Sequence, residues 1–216
     1  TTIKTELPKL RTGLAQADTY LNALAWLLGT DSPRNFLLET LDRTELRASG
    51  GFAGDFAIVN VQNGKIGPLG LVPVARTDYG GKLWYDGWDY GRRPPAAYSW
   101  WPIANWGLRD SNLSADFPAT AQLTMTAYQG ECGAACQAAG LPNTVDGVIQ
   151  VTPVAIEDVL AATGPIYIPD YSVSVTAANL EYEIHYFSLQ RADGSYPPGP
   201  NGGQLTDRKT FFYEFG

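Results

Sequence analysis

Residues 45–66, ELRASGGFAGDFAIVNVQNGKI, decide the fold of this chain. A glycine-bearing loop leads into the apolar run DFAIVNV, which predicts a β-strand over residues 55–61. Asn63-Gly64 follows, and this dipeptide is typical of a two-residue hairpin turn. We predict the return strand over residues 65–75, where two prolines place it at a sheet edge or break it into pieces. An antiparallel pair of strands is therefore the starting point of the sheet.

Strands alternate with helices in the second half of the chain. Residues 145–151, VDGVIQV, predict a strand, and Pro153 and Gly164 mark the start and the end of a helix after it. The following PIYI would return as a strand, so the whole stretch is typical of a parallel crossover unit. Helices are also predicted over residues 118–128 and 176–189. We therefore expect an α/β fold, with α+β as the alternative: one domain with a mixed central β-sheet covered by helices on both faces.

The two ends of the chain predict its domain organisation. Apolar residues at three- and four-residue spacing predict an amphipathic helix over residues 9–28. We expect residues 1–30 to form this helix packed on the domain, and residues 31–216 to form the domain itself. The sequence starts without methionine and ends at Gly216 just inside a predicted helix. We therefore expect a segment excised from a longer protein, with its C-terminal helix truncated.

The composition excludes several classes of function. Fifteen Lys and Arg against 22 Asp and Glu give a net charge of −7, so there is no basic face for nucleic acid. Hydrophobic residues make up 44% of the chain and charged residues 17%, a balance that indicates a folded protein. The single histidine, His185, lies on a predicted helix and is interpreted as structural. The chain therefore has too few histidines and cysteines to favour histidine-based catalysis or an ordinary zinc site.

The two cysteines, Cys132 and Cys136, lie in a stretch that is predicted to be a polar, glycine-rich insertion. Their spacing excludes a redox CxxC motif. It fits a small disulfide if the protein is exported, and two free thiols are the alternative.

Residues 80–106 are predicted to form a long aromatic-rich loop. Five of the six tryptophans lie in it, among glycines and prolines. Long loops in compact domains are usually functional when they are ordered. The candidates to contact a glycan or a lipid tail are Trp84, Trp88, Trp100 and Trp101. A local hydrophobic cluster that fixes the loop is the alternative.

Arginine and aspartate recur together in or beside the predicted loops. Arginine holds phosphate or carboxylate oxygens in two-point contacts, and aspartate can hold Mg²⁺ or orient an attacking hydroxyl. The candidate phosphate ligands are Arg47, Arg76 and Arg109, and the candidate catalytic carboxylates are Asp55, Asp78 and Asp110. Ordinary Arg–Asp pairing at strand ends is the alternative. No Walker or dinucleotide glycine motif accompanies these residues, so nucleotide binding has little support.

Three stretches carry a family resemblance: ELRASGGFAGDFAIVNVQNGKI at 45–66, WGLRDSNLSADFPATA at 106–121 and VDGVIQVTPVAIEDVLAATGPI at 145–166. In this order they resemble a bacterial envelope family, the domain-of-unknown-function family numbered 4012. That family in turn is distantly similar to the LytR–CpsA–Psr phosphotransferases. Those enzymes transfer glycopolymers from a polyprenyl-pyrophosphate carrier to the cell wall.

The resemblance to the phosphotransferases implies roles for individual residues. Asp55 falls at the first aspartate of their pattern, and Arg76 and Asp78 fall near the second arginine and aspartate, in permuted order. Ala53 stands where the pattern has an arginine. The resemblance implies that Arg47, Arg76 and Arg109 clamp a pyrophosphate, that Asp55 and Asp78 hold Mg²⁺ or orient the acceptor hydroxyl, and that Asp110 assists.

We expect an extracytoplasmic envelope protein, and its function has two interpretations. The first is a phosphotransferase-like enzyme that acts on a polyprenyl-pyrophosphate-linked glycan or cell-wall polymer, with Mg²⁺ as cofactor. The second is a non-catalytic envelope module that binds glycan or a partner protein, or scaffolds a surface assembly. The resemblance also implies a membrane tether outside this segment. Convergence of the arginines and aspartates on one pocket would favour the enzyme, and separate surfaces would favour the module.

Overall fold

The fold is given by a computed structural model that describes residues 2–77, 93–103, 106–138, 140–189, 194–203 and 210–215. Its helices are α1 (Thr2–Leu27), α2 (Val74–Thr77), α3 (Phe117–Ala138), α4 (Pro153–Thr163), α5 (Leu180–Ser188) and α6 (Thr210–Phe215). Its strands are β1 (Arg34–Asp42), β2 (Phe52–Gln62), β3 (Lys65–Ile66), β4 (Val72–Pro73), β5 (Gly147–Val151), β6 (Ile166–Ile168) and β7 (Val173–Val175). Short 3₁₀ helices occur at Ala96–Tyr98, Leu108–Asp110, Pro169–Tyr171 and Pro200–Gly202.

The central sheet is mixed, and β1 lies inside it. β1 pairs antiparallel with β2 and parallel with β5, so Leu37 faces Ile58 on one side and Val148 on the other. β2 also pairs antiparallel with β3 and with β4, which gives the order β3–β2–β1–β5 with β4 beside β2. This arrangement confirms the predicted α/β class with a mixed sheet.

The hairpin after β2 forms where the sequence predicts it. Asn63 and Gly64 both have positive φ, 50° and 73°, as a type I′ turn requires. The predicted return strand is broken into the short strands β3 and β4. The turn also contacts the residues that directly follow α1. The backbone N–H groups of Asn63 and Gly64 donate to the carbonyls of Gly29 and Leu28 at 3.1 and 2.8 Å.

The predicted crossover after β5 is wrong in its last step. α4 begins at Pro153 and ends at Thr163 as expected, but β6 does not return to the central sheet. It pairs antiparallel with β7 in a separate two-stranded sheet. The reason is local: the 3₁₀ turn after β6 ends at Ser172, whose φ of 53° reverses the chain at once. The parallel neighbour of β5 is β1.

Helices cover both faces of the sheet. On one face α3 and the 3₁₀ turn at 108–110 enclose a cluster that includes Leu37, Phe56 and Tyr128. On the other face Phe36, Val59 and Val61 form a smaller cluster. α4, α5, α6 and the β6–β7 hairpin contribute to a further cluster, and within it Phe187 stacks on Phe211 at 4.5 Å between ring centroids.

The two cysteines are joined in a disulfide, which confirms the predicted pair. The predicted polar insertion around them is wrong, because α3 extends ten residues beyond the helix predicted at 118–128 and carries both cysteines. A spacing of four residues places Cys132 and Cys136 on one face of the helix. Both are buried in the core cluster beside Tyr128, whose hydroxyl donates to the carbonyl of Pro142 at 2.6 Å.

Removal of the disulfide is expected to destabilise the fold moderately. Because the closed loop is short, loop-closure entropy gives a loss of about 2 kcal/mol for the double variant Cys132→Ala/Cys136→Ala. The free energy of unfolding in urea measures this loss. Reduced wild-type protein serves as the control and should unfold close to the variant. Equal stability of the variant and the oxidised protein would contradict a stabilising bond.

A buried carboxyl group lies at the centre of the sheet. Glu39 of β1 is fully buried opposite Gln150 of β5, and the Gln150 side-chain amide donates to Glu39 Oε2 at 2.7 Å. Within the described part of the chain, Glu39 Oε1 has no hydrogen-bond partner. Burial raises the pKa of Glu39 to about 7, and the hydrogen bond from Gln150 opposes this rise.

α1 carries its apolar stripe on the outside of the molecule. Leu10, Leu14 and Leu21 are each about two thirds exposed. The contacts that join this helix to the sheet come from its last turn, where the Trp26 ring meets Phe36 edge to face at 5.8 Å. Among the described residues, no helix is both long enough and apolar enough to cross a bilayer.

Candidate functional site

A cavity of about 200 Å³ opens where β1 and β5 end. Since these strands are parallel, their carboxyl ends meet at one edge of the sheet, which is where open α/β sheets bind ligands. The start of β2, the first turn of α4 and one face of α5 complete the wall. The lining residues are Thr40, Leu41, Asp42, Glu45, Phe52, Gly54, Asp55, Val151, Thr152, Pro153, Ile156, Glu181, Ile184, His185, Ser188 and Leu189.

A β-bulge brings Asp55 into this cavity. The register between β1 and β2 shifts after Thr40, so that Thr40 pairs with Asp55 whereas Leu41 pairs with Ala53, and Gly54 is the extra residue. Bulges redirect side chains next to binding sites. The buried Asp55 carboxylate accepts a hydrogen bond from the hydroxyl of Tyr213 on α6 at 3.2 Å.

The carboxylates at the end of β1 and on α5 are held in place by neighbours. Asp42 Oδ1 accepts from the backbone N–H and the hydroxyl of Thr44 at 2.8 and 2.6 Å. Both carboxylate oxygens of Glu181 accept from the guanidinium of Arg43, which raises the pKa of Arg43. His185 Nε2 lies 3.9 Å from Asp42 Oδ1. These contacts join α5 to the end of β1 and fix the shape of the opening.

The cavity is acidic. Its lining includes four carboxylates, at Asp42, Glu45, Asp55 and Glu181, and no arginine or lysine among its described residues. A concave site of one charge sign attracts the opposite charge and repels its own. Hydroxyl-rich or cationic groups are therefore favoured over a bare phosphate.

Arg47 and Asp110 form a separate, largely buried ion pair. Arg47 Nη2 and Nε lie 3.2 and 3.3 Å from Asp110 Oδ1. The guanidinium also stacks on the rings of Phe52 and Trp101, at 5.2 and 5.4 Å from their centroids. Burial raises the pKa of the Asp110 carboxyl, and Arg47 and Arg109 oppose that rise. The pair joins the 3₁₀ turn at 108–110 to the loop between β1 and β2.

Arg109 belongs to the same buried cluster. Burial lowers the pKa of its guanidinium, and the charges of Asp110 and Glu131 oppose this change. Glu131 of α3 also accepts from the backbone N–H of Leu108 at 2.9 Å. The Trp106 indole N–H donates to the Asp110 carbonyl at 2.9 Å, so a second hydrogen bond also holds the 3₁₀ turn at 108–110 in place.

The structure thus separates the predicted site residues into two groups. Arg47, Arg109 and Asp110 lie together in the buried cluster, and none of them lines the cavity that contains Asp55. Phe52 adjoins both the buried cluster and the cavity, since it contacts Arg47 and also lines the cavity.

The second predicted motif, which consists of Arg76 and Asp78, lies only partly within the described residues. The backbone of Arg76 lies in α2, directly after β4, whose Pro73 is the register partner of Asp55. Asp78, Trp84 and Trp88 lie outside the described residues.

The two described candidate tryptophans have different surroundings. Trp100 and Trp101 meet edge to face at 5.8 Å. Trp100 is 65% exposed and presents its ring to solvent. Trp101 packs against the core cluster and lies beside the Arg47 guanidinium. Of these two, Trp100 is the one whose surface is open to a ligand.

Among the described residues, no three His, Cys, Asp or Glu side chains come together closely enough to hold a metal ion. Asp55 is one of the two metal ligands implied by the resemblance, and the other, Asp78, lies outside the described residues.

Among the described residues that line the cavity, Asp55 is the only one predicted from the sequence as a site residue, and the carboxylates of Asp42, Glu45 and Glu181 are not predicted. His185, which the sequence predicts to be structural, lines the cavity together with Glu181. Their spacing of four residues on α5 places them on one helix face, which is a signal available from sequence. Tyr213 has no such signal, because its contact with Asp55 spans 158 residues.

These features define an α/β domain with an acidic cavity at the ends of parallel strands, stabilised by a disulfide that is consistent with an extracytoplasmic location. The profile of the family described as "Protein of unknown function (DUF4012)" matches residues 31–186. The chain belongs to this family. No curated protein and no solved structure gives a significant match.

Proposed function

We propose that this chain is an extracytoplasmic envelope domain that binds a glycan in the cavity and does not react with it. The observation that carries the proposal is the cavity lining, which combines four carboxylates with an apolar wall and has no described arginine or lysine. Sugar hydroxyls donate hydrogen bonds to carboxylates, and the C–H faces of sugars pack on apolar side chains such as Phe52.

Three of the four lining carboxylates are ordered before a ligand arrives. Tyr213 fixes Asp55, Arg43 fixes Glu181, and the turn at Thr44 fixes Asp42. An ionised carboxylate has about four acceptor positions, so each of these groups retains capacity for further hydrogen bonds. Preorganisation of this kind lowers the entropy lost on binding.

Calorimetric titration with an N-acetylglucosamine tetrasaccharide tests the proposal. We expect binding that weakens at least tenfold in Ser188→Phe, because a phenyl ring at this lining position fills the cavity. Ser174→Phe is the matched control, since Ser174 is exposed on β7 and does not line the cavity. Unchanged affinity in Ser188→Phe would place the glycan elsewhere, and no heat of binding would contradict the proposal for this sugar.

A phosphotransferase acting on a polyprenyl-pyrophosphate-linked glycan is the second candidate. The position of Asp55 favours it, because this residue both lines the cavity and faces Pro73 of β4. α2 starts at the next residue and carries the backbone of Arg76. The two motifs that the resemblance singles out are therefore neighbours in the fold.

Turnover of farnesyl-pyrophosphoryl-N-acetylglucosamine separates the two candidates. An acceptor hydroxyl would attack the phosphorus next to the sugar and pass its proton to the Asp55 carboxylate, and farnesyl phosphate would leave with the electrons of the broken P–O bond. Release of farnesyl phosphate that Asp55→Asn abolishes would support the enzyme. Binding of the tetrasaccharide without such release would support the module.

A further inference from the structure

The exposed apolar stripe of α1 follows a strict heptad spacing. Between residues 7 and 24, Leu or Ala occurs at 7, 10, 14, 17, 21 and 24, at intervals of 3, 4, 3, 4 and 3. This is a period of 3.5 residues, the period of a left-handed coiled coil, whereas an ordinary surface helix follows 3.6. The leucines of this stripe are half or more exposed, and Ala17 is also exposed.

The heptad register shows that the stripe faces away from the domain to which α1 is attached. With Leu7, Leu14 and Leu21 at position a, Trp26 falls at position f, on the opposite side of the helix. Trp26 is the residue that meets Phe36, and the Arg34 guanidinium lies 4.9 Å from its ring centroid. The domain therefore contacts α1 on the side of the helix that carries position f, and the side chains at positions a and d stay exposed to solvent.

The charges beside the stripe match a second copy of the same helix. In a parallel pair, position g of one helix faces position e of its partner five residues further on. Glu6 occupies g and Arg11 occupies e, so two copies form two opposite-charge contacts. Asp18 at the next e position faces Gly13, which is uncharged. The same register therefore pairs both the apolar and the charged positions.

We propose that α1 is one strand of a parallel coiled coil formed with a second copy of this chain, over residues 7–24. The contact is separate from the cavity and goes beyond the proposed function. α1 has 26 residues, a length of about 39 Å, which is enough for three heptads. Pro8 falls at position b, outside the a and d positions that meet the partner.

Sedimentation equilibrium of the full 216-residue chain tests the proposal. We expect twice the monomer mass, and at least a tenfold weaker association for Leu14→Lys/Leu21→Lys, which places charges at two a positions. Thr12→Lys/Thr19→Lys is the matched control, because it adds the same charge at two exposed f positions of the same helix. A wild-type chain that stays monomeric up to its solubility limit would overturn the proposal, as would equal association of the two double variants.

The parallel orientation has its own measurement. Leu10→Cys lies at position d, where two copies of the residue face each other in a parallel pair and are far apart in an antiparallel one. Oxidation should therefore give a covalent dimer. A non-covalent dimer that resists this cross-link would overturn the parallel arrangement.

Discussion

Replacement of Arg47 by methionine should lower the free energy of unfolding by about 3–5 kcal/mol. The replacement removes the direct ion-pair partner of the Asp110 carboxylate, which is buried. Methionine is an unbranched apolar side chain, but it lacks the guanidinium that lies over the Phe52 and Trp101 rings. The loss therefore reports the removed charge together with its ring contacts. Equilibrium urea denaturation measures it.

Two further variants make this prediction specific. Arg47→Met/Asp110→Asn should recover part of the stability, because no ionised Asp110 then remains buried without its arginine. Arg43→Met is the matched control, since Arg43 pairs with Glu181 at the surface, where screening weakens the interaction, and its loss should be much smaller. Equal losses for Arg47→Met and Arg43→Met would contradict a structural role for the buried pair.

Glu39→Gln should stabilise the protein at neutral and alkaline pH. The unfolded chain releases the Glu39 proton near pH 4.5, whereas the folded chain keeps it until about pH 7. Between these values the folded state binds more protons, so wild-type stability falls as the pH rises. Above pH 7 the penalty is complete, at about 3 kcal/mol. Glutamine has the same shape without this penalty, and its amide still accepts from Gln150.

The pH dependence of unfolding checks this prediction. The difference between Glu39→Gln and wild type should be small at pH 4, grow through the window from 4.5 to 7, and stay constant above it. Glu45→Gln is the control, because Glu45 is exposed and its removal should leave the slope of the curve unchanged. A variant that stays parallel to wild type across this window would show that Glu39 ionises normally in the folded state.

Much of the fold is predictable because it rests on local chemistry. Asn63-Gly64 produces the hairpin through its tolerance of positive φ, and Pro153 starts α4 through its fixed φ. The extent of β1 is less predictable. Its apolar run stops at Leu38, yet the strand continues to Asp42, since Glu39 is buried by its neighbours across the sheet. No local pattern reveals a carboxyl group in a sheet centre.

The site is predictable in its parts and not in its assembly. Residue type and position in or beside the predicted loops single out Asp55 and Arg47, and each has a well-defined polar environment in the fold. Their separation depends on the bulge at Gly54, which decides where Asp55 points, and on the distant turn that carries Asp110. The Arg–Asp pairing considered as the alternative is what the structure shows for Arg47. Contacts that depend on long-range packing have no signature in sequence spacing.

The parallel contact between β1 and β5 also has a consequence for how the chain acquires its structure. The two strands are joined across more than a hundred residues, as in the hydrogen bond from the Asn35 backbone N–H to Asp146, which spans 111 positions. Loop-closure entropy makes such contacts slow to form. During synthesis β1 and β2 can pair early, but one edge of β1 stays open until residue 151 has emerged. We therefore expect closure of the sheet, and with it the cavity, to be a late event in folding.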